Sequence, residues 1–121
     1  MGMCKRGDIY FVDFGQNIDS NKQCGIRPAV IVSNNRANEH SPVITVVPLT
    51  GRTYKKRHLP THVFIPKSCG LDRNSLALAE QVEAIDKKNL REKRGHISDG
   101  AVMEQITKAL QIQLGVDDRY N

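Results

Sequence analysis

Apolar residues along the chain keep two different rhythms. Up to about Ile85 they come in short runs, "DIYFVDF", "AVIVSN", "VITVVPLT", "HVFIP" and "SLALAEQVEAI", separated by segments holding Gly, Asn, Pro and clustered charge. Short runs rich in Val, Ile and Phe and bounded by turn formers predict strands. From Ser98 onward the rhythm lengthens. Val102, Ile106, Ala109, Leu110 and Leu114 follow helical spacing, which predicts one amphipathic helix with Ser98 as N-cap and Gly115 as its stop. Between the two rhythms lies "DKKNLREK", read as a polar turn or helical piece. Several strands closed by one helix predict a mainly β protein with a C-terminal helix, folded as a compact, largely antiparallel barrel or sandwich. Pro28 is expected at the first position of the strand that runs on through Ala29, because a residue without an N–H is tolerated at a strand's start and damages its middle.

Length and composition narrow this picture. A chain of 121 residues can bury one core, and no repeat, low-complexity tract or linker divides it, so residues 1–121 read as a single domain. Eighteen Lys+Arg against 13 Asp+Glu give a formal charge of +5 and a pI near 9.3. That balance favours a polyanionic partner, although a solvated basic surface produces the same number. The three cysteines, Cys4, Cys24 and Cys69, form no CxxC pair, which argues against a disulfide framework and a thiolate zinc site and for reduced thiols. No apolar run approaches the roughly 18 residues of a membrane span, and no apolar signal-peptide core follows "MGMCKRGD". The expectation is a soluble, cytoplasmic protein with no membrane partner.

Candidate chemistry is sparse. His58 and His62 have the spacing of a helical metal pair, but Pro60 lies between them in a loop-and-strand context, so no metal is expected there; His40 and His96 stand apart. GxSxG, Walker and GxGxxG motifs are missing from the sequence, and the pair Asp117 and Asp118 belongs to a tail. What remains is the basic loop "TGRTYKKRH", in which Arg52, Lys55, Lys56 and Arg57 surround Tyr54. Cations around a ring suit single-stranded nucleic acid, because the cations neutralise phosphates while the ring stacks on a base. The second feature is Arg27 in "CGIRPAVIVSNN", a lone charge at the mouth of an apolar run. It either solvates a strand edge or faces an anion.

Six segments in order, "KRGDIYFVDF", "QCGIRPAVIVSNN", "VVPLT", "LPTHVFI", "AEQVEAID" and "ALQIQLG", resemble the MazF/PemK family of toxin endoribonucleases from type II toxin–antitoxin systems, over nearly the whole chain. The resemblance implies an SH3-like small β-barrel that works as a homodimer. It also implies metal-independent cleavage of single-stranded messenger RNA at a short sequence without a cofactor, giving 2′,3′-cyclic phosphate and 5′-hydroxyl ends, and neutralisation by a partner antitoxin with an acidic, disordered segment. Family site residues fall on Arg27 and Thr50 for cleavage and on Gln81 for base reading. A guanidinium suits the extra charge of a pentacoordinate phosphorane, and a hydroxyl can orient the phosphate. Arginine is a poor proton acceptor at neutral pH, so the base remains open among Glu80, His58 and His62.

Ser33 and Asn34, beyond the strand that starts near Arg27, are further candidates for base contacts, with a turn-forming role for Asn34 equally open. Lys22, with Arg52, Tyr54, Lys55, Lys56 and His58, completes the expected RNA-binding set. Lys22 also marks a departure: the family often reads an acid there, and a glycine where this chain has Cys24. Lysine in that place would add phosphate attraction, and Cys24 puts a thiol beside the site, read as an incidental small residue rather than a redox switch. Two other activities fit the same sequence: a non-catalytic gyrase-poisoning toxin of the same fold, and a plain RNA-binding module.

Overall fold

The computed structural model describes residues 3–16, 20–53 and 59–117. Seven strands are present among them: β1 (Asp8–Asp13), β2 (Ile26–Ile31), β3 (Val43–Thr50), β4 (His62–Ile65), β5 (Ser75–Leu78), β6 (Glu83–Asp86) and β7 (Leu90–His96). Helix α1 covers Asn35–His40 and helix α2 covers Gly100–Gln113; single 3₁₀ turns lie at Lys67–Cys69, Ala79–Gln81 and Lys87–Asn89. All strand pairings are antiparallel, in the order β4-β5-β3-β2-β1-β7 with β6 also on β3. The long strand β3 is shared: Val46–Pro48 face β2, Val43–Val46 face β6, and Leu49 and Thr50 pair with Ala77 and Leu76 of β5. The expected mainly β architecture with a C-terminal helix is what the chain adopts.

The central strands bury both faces, which is why they read as unbroken apolar runs. On β2, Val30 enters one core with Ile9, Val47, Leu49 and Ile65, while Ala29 and Ile31 enter a second with Val12, Ile44, Val46 and Ile85. Helix α2 closes the first core with Ile106 and Ala109. Burying one such aliphatic side chain contributes about 1.5–3 kcal/mol, so α2 is held by packing rather than by its own propensity.

Four local expectations are corrected. The N-cap of α2 is Asp99, whose carboxylate accepts from the Ala101 N–H, and not Ser98. "SLALAEQVEAI" is two strands, broken at Ala79–Gln81 so that β5 and β6 reach opposite halves of β3. The turn expected in "DKKNLREK" is present as the 3₁₀ turn Lys87–Asn89, but the segment's second half, from Leu90, is already β7. Pro28 is the third residue of β2, opposite Phe11. The β2–β3 ladder begins only at Ala29, so the missing N–H falls where that ladder has already ended.

Two glycines fix the approach of the segment between β4 and β5 to β7. A Cβ on Gly95 would lie 1.9 Å from the Cys69 carbonyl oxygen, and one on Gly70 would lie 2.3 Å from the Arg94 carbonyl oxygen. Gly70 also has φ +110°, a conformation that other residues rarely adopt. Backbone therefore lies directly on backbone, and residues 71–73 are delivered to the side of β7 that carries Arg94.

Candidate active site

Strand β2 opens on a tight turn. Gly25, at φ +76°, exchanges hydrogen bonds with the end of β1: its N–H donates to Gly15 O (2.7 Å), and its carbonyl accepts from Phe14 N–H (2.9 Å). That turn brings the Cys24 carbonyl beneath Arg27, whose Nε donates to it at 2.8 Å. The bond holds the plane of the guanidinium and leaves its two terminal nitrogens for another acceptor. Thr50 closes β3; only 4% exposed, it accepts from the Arg52 N–H at 3.2 Å, and its hydroxyl proton stays available.

Arg27 and Thr50 line one cavity of about 250 Å³ together with Arg52, Arg73 and Arg94. Asp72 is the carboxylate in that lining, and Phe11, Pro28 and Leu71 give it an apolar side. Four guanidinium groups facing one carboxylate make the cavity an anion site before any ligand arrives. Arg94 is itself restrained: it stacks 5.3 Å over the Phe11 ring and donates to Asp72 at 3.0 Å. Arg73 lies across Gly51, where an added Cβ would come within 2.3 Å of its Cδ.

The other sequence-derived residues divide between this cavity's approach and elsewhere. Gln81 accepts from the Gln23 N–H at 2.7 Å, and Lys22 pairs with Glu83 at 2.9 Å, so both tie the loop before Arg27 to the segment after β5. Lys22 is thus a half-exposed cation already paired with a carboxylate at the edge of that loop. Ser33 donates to Asn38 and accepts from the Thr45 N–H, while Asn34 caps α1 by accepting from Ala37 N–H at 2.9 Å; neither lines the Arg27 cavity. Tyr54, Lys55, Lys56, Arg57 and His58 lie outside the described residues.

Of the candidate bases, His62 has a side chain only 3% exposed, and its ring lies 3.0 Å from Glu80, which also accepts from Thr61 at 2.8 Å. The two engage each other away from the cavity. No group of three or more His, Cys, Asp and Glu among the described residues is arranged to hold a metal ion. No helix there is long and apolar enough to cross a membrane.

Sequence reading missed Asp72, Arg73 and Arg94. They sit in a turn and on a polar strand with no motif around them; β1 sets Arg94's strand beside that of Arg27, and the Gly70–Gly95 contact brings the turn to β7. The glycine in "SCGLDRNS" was the one local sign of a close approach.

A cleft-forming antiparallel sheet with an arginine and a threonine at adjoining strand ends, lined by guanidinium groups, defines a small β protein built to act on a polyanion. Residues 5–114 match the model of the PemK-like, MazF-like toxins of type II toxin–antitoxin systems, and the chain belongs to that family. It is 41% identical over 115 residues to the endoribonuclease MazF of Staphylococcus saprophyticus, covering 94% of this chain and 93% of that protein. Among solved structures it resembles a mycobacterial endoribonuclease in complex with its cognate antitoxin, at 31% identity and a TM-score of 0.75 over 94% of this chain and 97% of the other. MazF from Deinococcus radiodurans, at 20% identity and a TM-score of 0.78, covers 95% of this chain and 99% of its own, and shows the shared fold. Of the three activities that fitted the sequence, these relatives carry the endoribonuclease.

Proposed function

We propose that this MazF-type endoribonuclease toxin cleaves single-stranded RNA in the cavity between Arg27 and Thr50, by attack of the RNA's own 2′-hydroxyl on the neighbouring phosphate. The observation that carries the reading is the Arg27–Cys24 hydrogen bond, which presents a fixed guanidinium to a cavity shared with a hydroxyl. As the 2′-oxygen adds to phosphorus, charge builds on the non-bridging oxygens of the phosphorane. The terminal nitrogens of Arg27 meet that charge, and the Thr50 hydroxyl donates one more hydrogen bond. Departure of the 5′-oxygen, which takes up a proton from solvent, leaves a 2′,3′-cyclic phosphate and a 5′-hydroxyl.

The proton of the attacking hydroxyl needs an acceptor. Asp72 is the carboxylate in the cavity lining, with its side chain 82% exposed and within reach of solvent-borne protons. We assign it this role ahead of Glu80 and His62, which engage each other. No step requires a metal ion. The positive cavity also suits an acidic, disordered segment of a partner antitoxin, which would block the RNA path, and a homodimer would lengthen the groove for several nucleotides. A messenger-RNA substrate suits a cytoplasmic protein.

The test is incubation of the protein and its Arg27→Ala variant with a long single-stranded RNA in EDTA, followed by mapping of cut positions and end groups. Cuts at one recurring short sequence with cyclic phosphate ends are expected, slowed by about 10²–10³-fold in the variant. Cutting that needed a divalent ion, or that survived in Arg27→Ala, would sink the mechanism.

A further inference from the structure

The cavity carries more positive charge than one phosphodiester can use. A single phosphate bears one negative charge, and Arg27 with Thr50 already supplies its donors. Arg94 is occupied by Asp72 and by the Phe11 ring. Arg52 and Arg73 remain: among the described residues neither guanidinium makes an ion pair or a hydrogen bond, both line the same cavity, and Arg73 is the one laid against Gly51. Its position is not incidental, because its aliphatic stem rests on the Cα of Gly51, where an added Cβ would stand 2.3 Å from Cδ and 3.0 Å from Cγ. Gly51 directly follows Thr50, so this contact lays a second free guanidinium beside the hydroxyl of the first phosphate site.

We propose that the cavity holds two consecutive phosphates of the RNA strand: Arg27 and Thr50 take the phosphate that is cut, and Arg73, laid across Gly51, takes its neighbour. This rests on the reading of the cavity as an RNA cleavage site. Arg73 is a substrate-positioning residue whose work lies in binding and register, and Gly51 is the space that admits it. Two anchored phosphates fix the strand's direction through the cavity, which one phosphate cannot do.

The experiment measures binding of an uncleavable single-stranded DNA at several salt concentrations, beside RNA cleavage kinetics, in wild type, Arg73→Ala, Arg73→Lys, Gly51→Ala and the Gly51→Ala/Arg73→Ala double variant. Losing one phosphate contact to a single strand should flatten the slope of log K against log salt by about 0.7. Arg73→Ala is expected to show that change and a KM raised about tenfold, with a smaller effect on kcat. Arg73→Lys should restore the slope, since the point charge remains. Gly51→Ala should mimic Arg73→Ala with the guanidinium still present, and should add nothing in the double variant.

A second probe locates the contact. A neutral methylphosphonate placed next to the mapped cut, on RNA with a 2′-deoxy sugar at the cut itself, should weaken wild type and leave Arg73→Ala unaffected. An unchanged salt slope in Arg73→Ala, or equal sensitivity of both proteins to the neutral linkage, overturns the inference while wild-type cutting keeps the cleavage reading intact. A flattened slope in a protein that cuts no RNA would do the reverse.

Discussion

Arg27 acts through an orientation as much as a charge. Its Nε is committed to the Cys24 carbonyl at 2.8 Å, so the terminal nitrogens are presented as a pair. A lysine at this position has one charged centre and cannot make the carbonyl bond and a forked phosphate contact together. Arg27→Lys is therefore expected to keep most RNA affinity yet lose about tenfold or more in kcat, measured by single-turnover cleavage; full kcat would show that charge alone suffices. At this scale the sequence was half legible. Arg27 and Thr50 could be placed because each sits in a strand-end segment shared with the family. Arg73, Arg94 and Asp72 could not, since nothing local in "LDRNS" or "LREKRGH" separates a site residue from a solvated charge. Nor could the sequence show the partner of Lys22, which stands 2.9 Å from Glu83, 61 positions away.

Elements were legible where burial has a period. β1, β2, β3 and β4 follow from apolar runs because the core lies on one or both of their faces. β7 escaped because among the described residues it is an outer strand paired only to β1, with Glu92 and Lys93 exposed, so "LREKRGH" carries no alternation to read. α1 escaped because six residues bury only Asn38, and its start is set by the Asn34 cap. The break at Ala79–Gln81 hid inside an apolar stretch because Ala79 stays buried across it. Helix α2 was visible, and its inward face predicts its energetics. Ile106 is fully buried between the sheet and the helix, so Ile106→Ala should cost about 2–5 kcal/mol in urea unfolding. Asp99→Ala, which removes only the cap, should cost about 1 kcal/mol. Equal losses from the two would contradict the ranking of packing above capping.

For the whole molecule, one buried and two half-buried acids set an alkaline limit. Burial raises the Cys4 thiol above 9.0, the Cys69 thiol likewise, and the Tyr10 phenol above 10.0, with desolvation the largest cause in each. In the unfolded chain these groups ionise at their ordinary values while the folded chain still holds the protons. Above about pH 9 the unfolded state has released more protons, so stability falls as pH rises; below it, both states are neutral at these groups and their contribution is intact. A urea midpoint that declines from about pH 9 upward is the expected result. A midpoint that stayed level there would show that these groups are not shielded from water in solution.

The backbone contact between Gly70 and Gly95 reaches beyond geometry into how this protein can vary. Neither position can gain a side chain unless the facing chain retreats, and the facing chain carries Arg73 or Arg94. Drift at one glycine therefore demands a matching adjustment across the gap, so the two positions should change together or stay fixed among relatives. A lineage that altered this pair would shift the cavity's charges without touching Arg27 or Thr50, and so could acquire a new RNA preference with its cleavage residues unchanged.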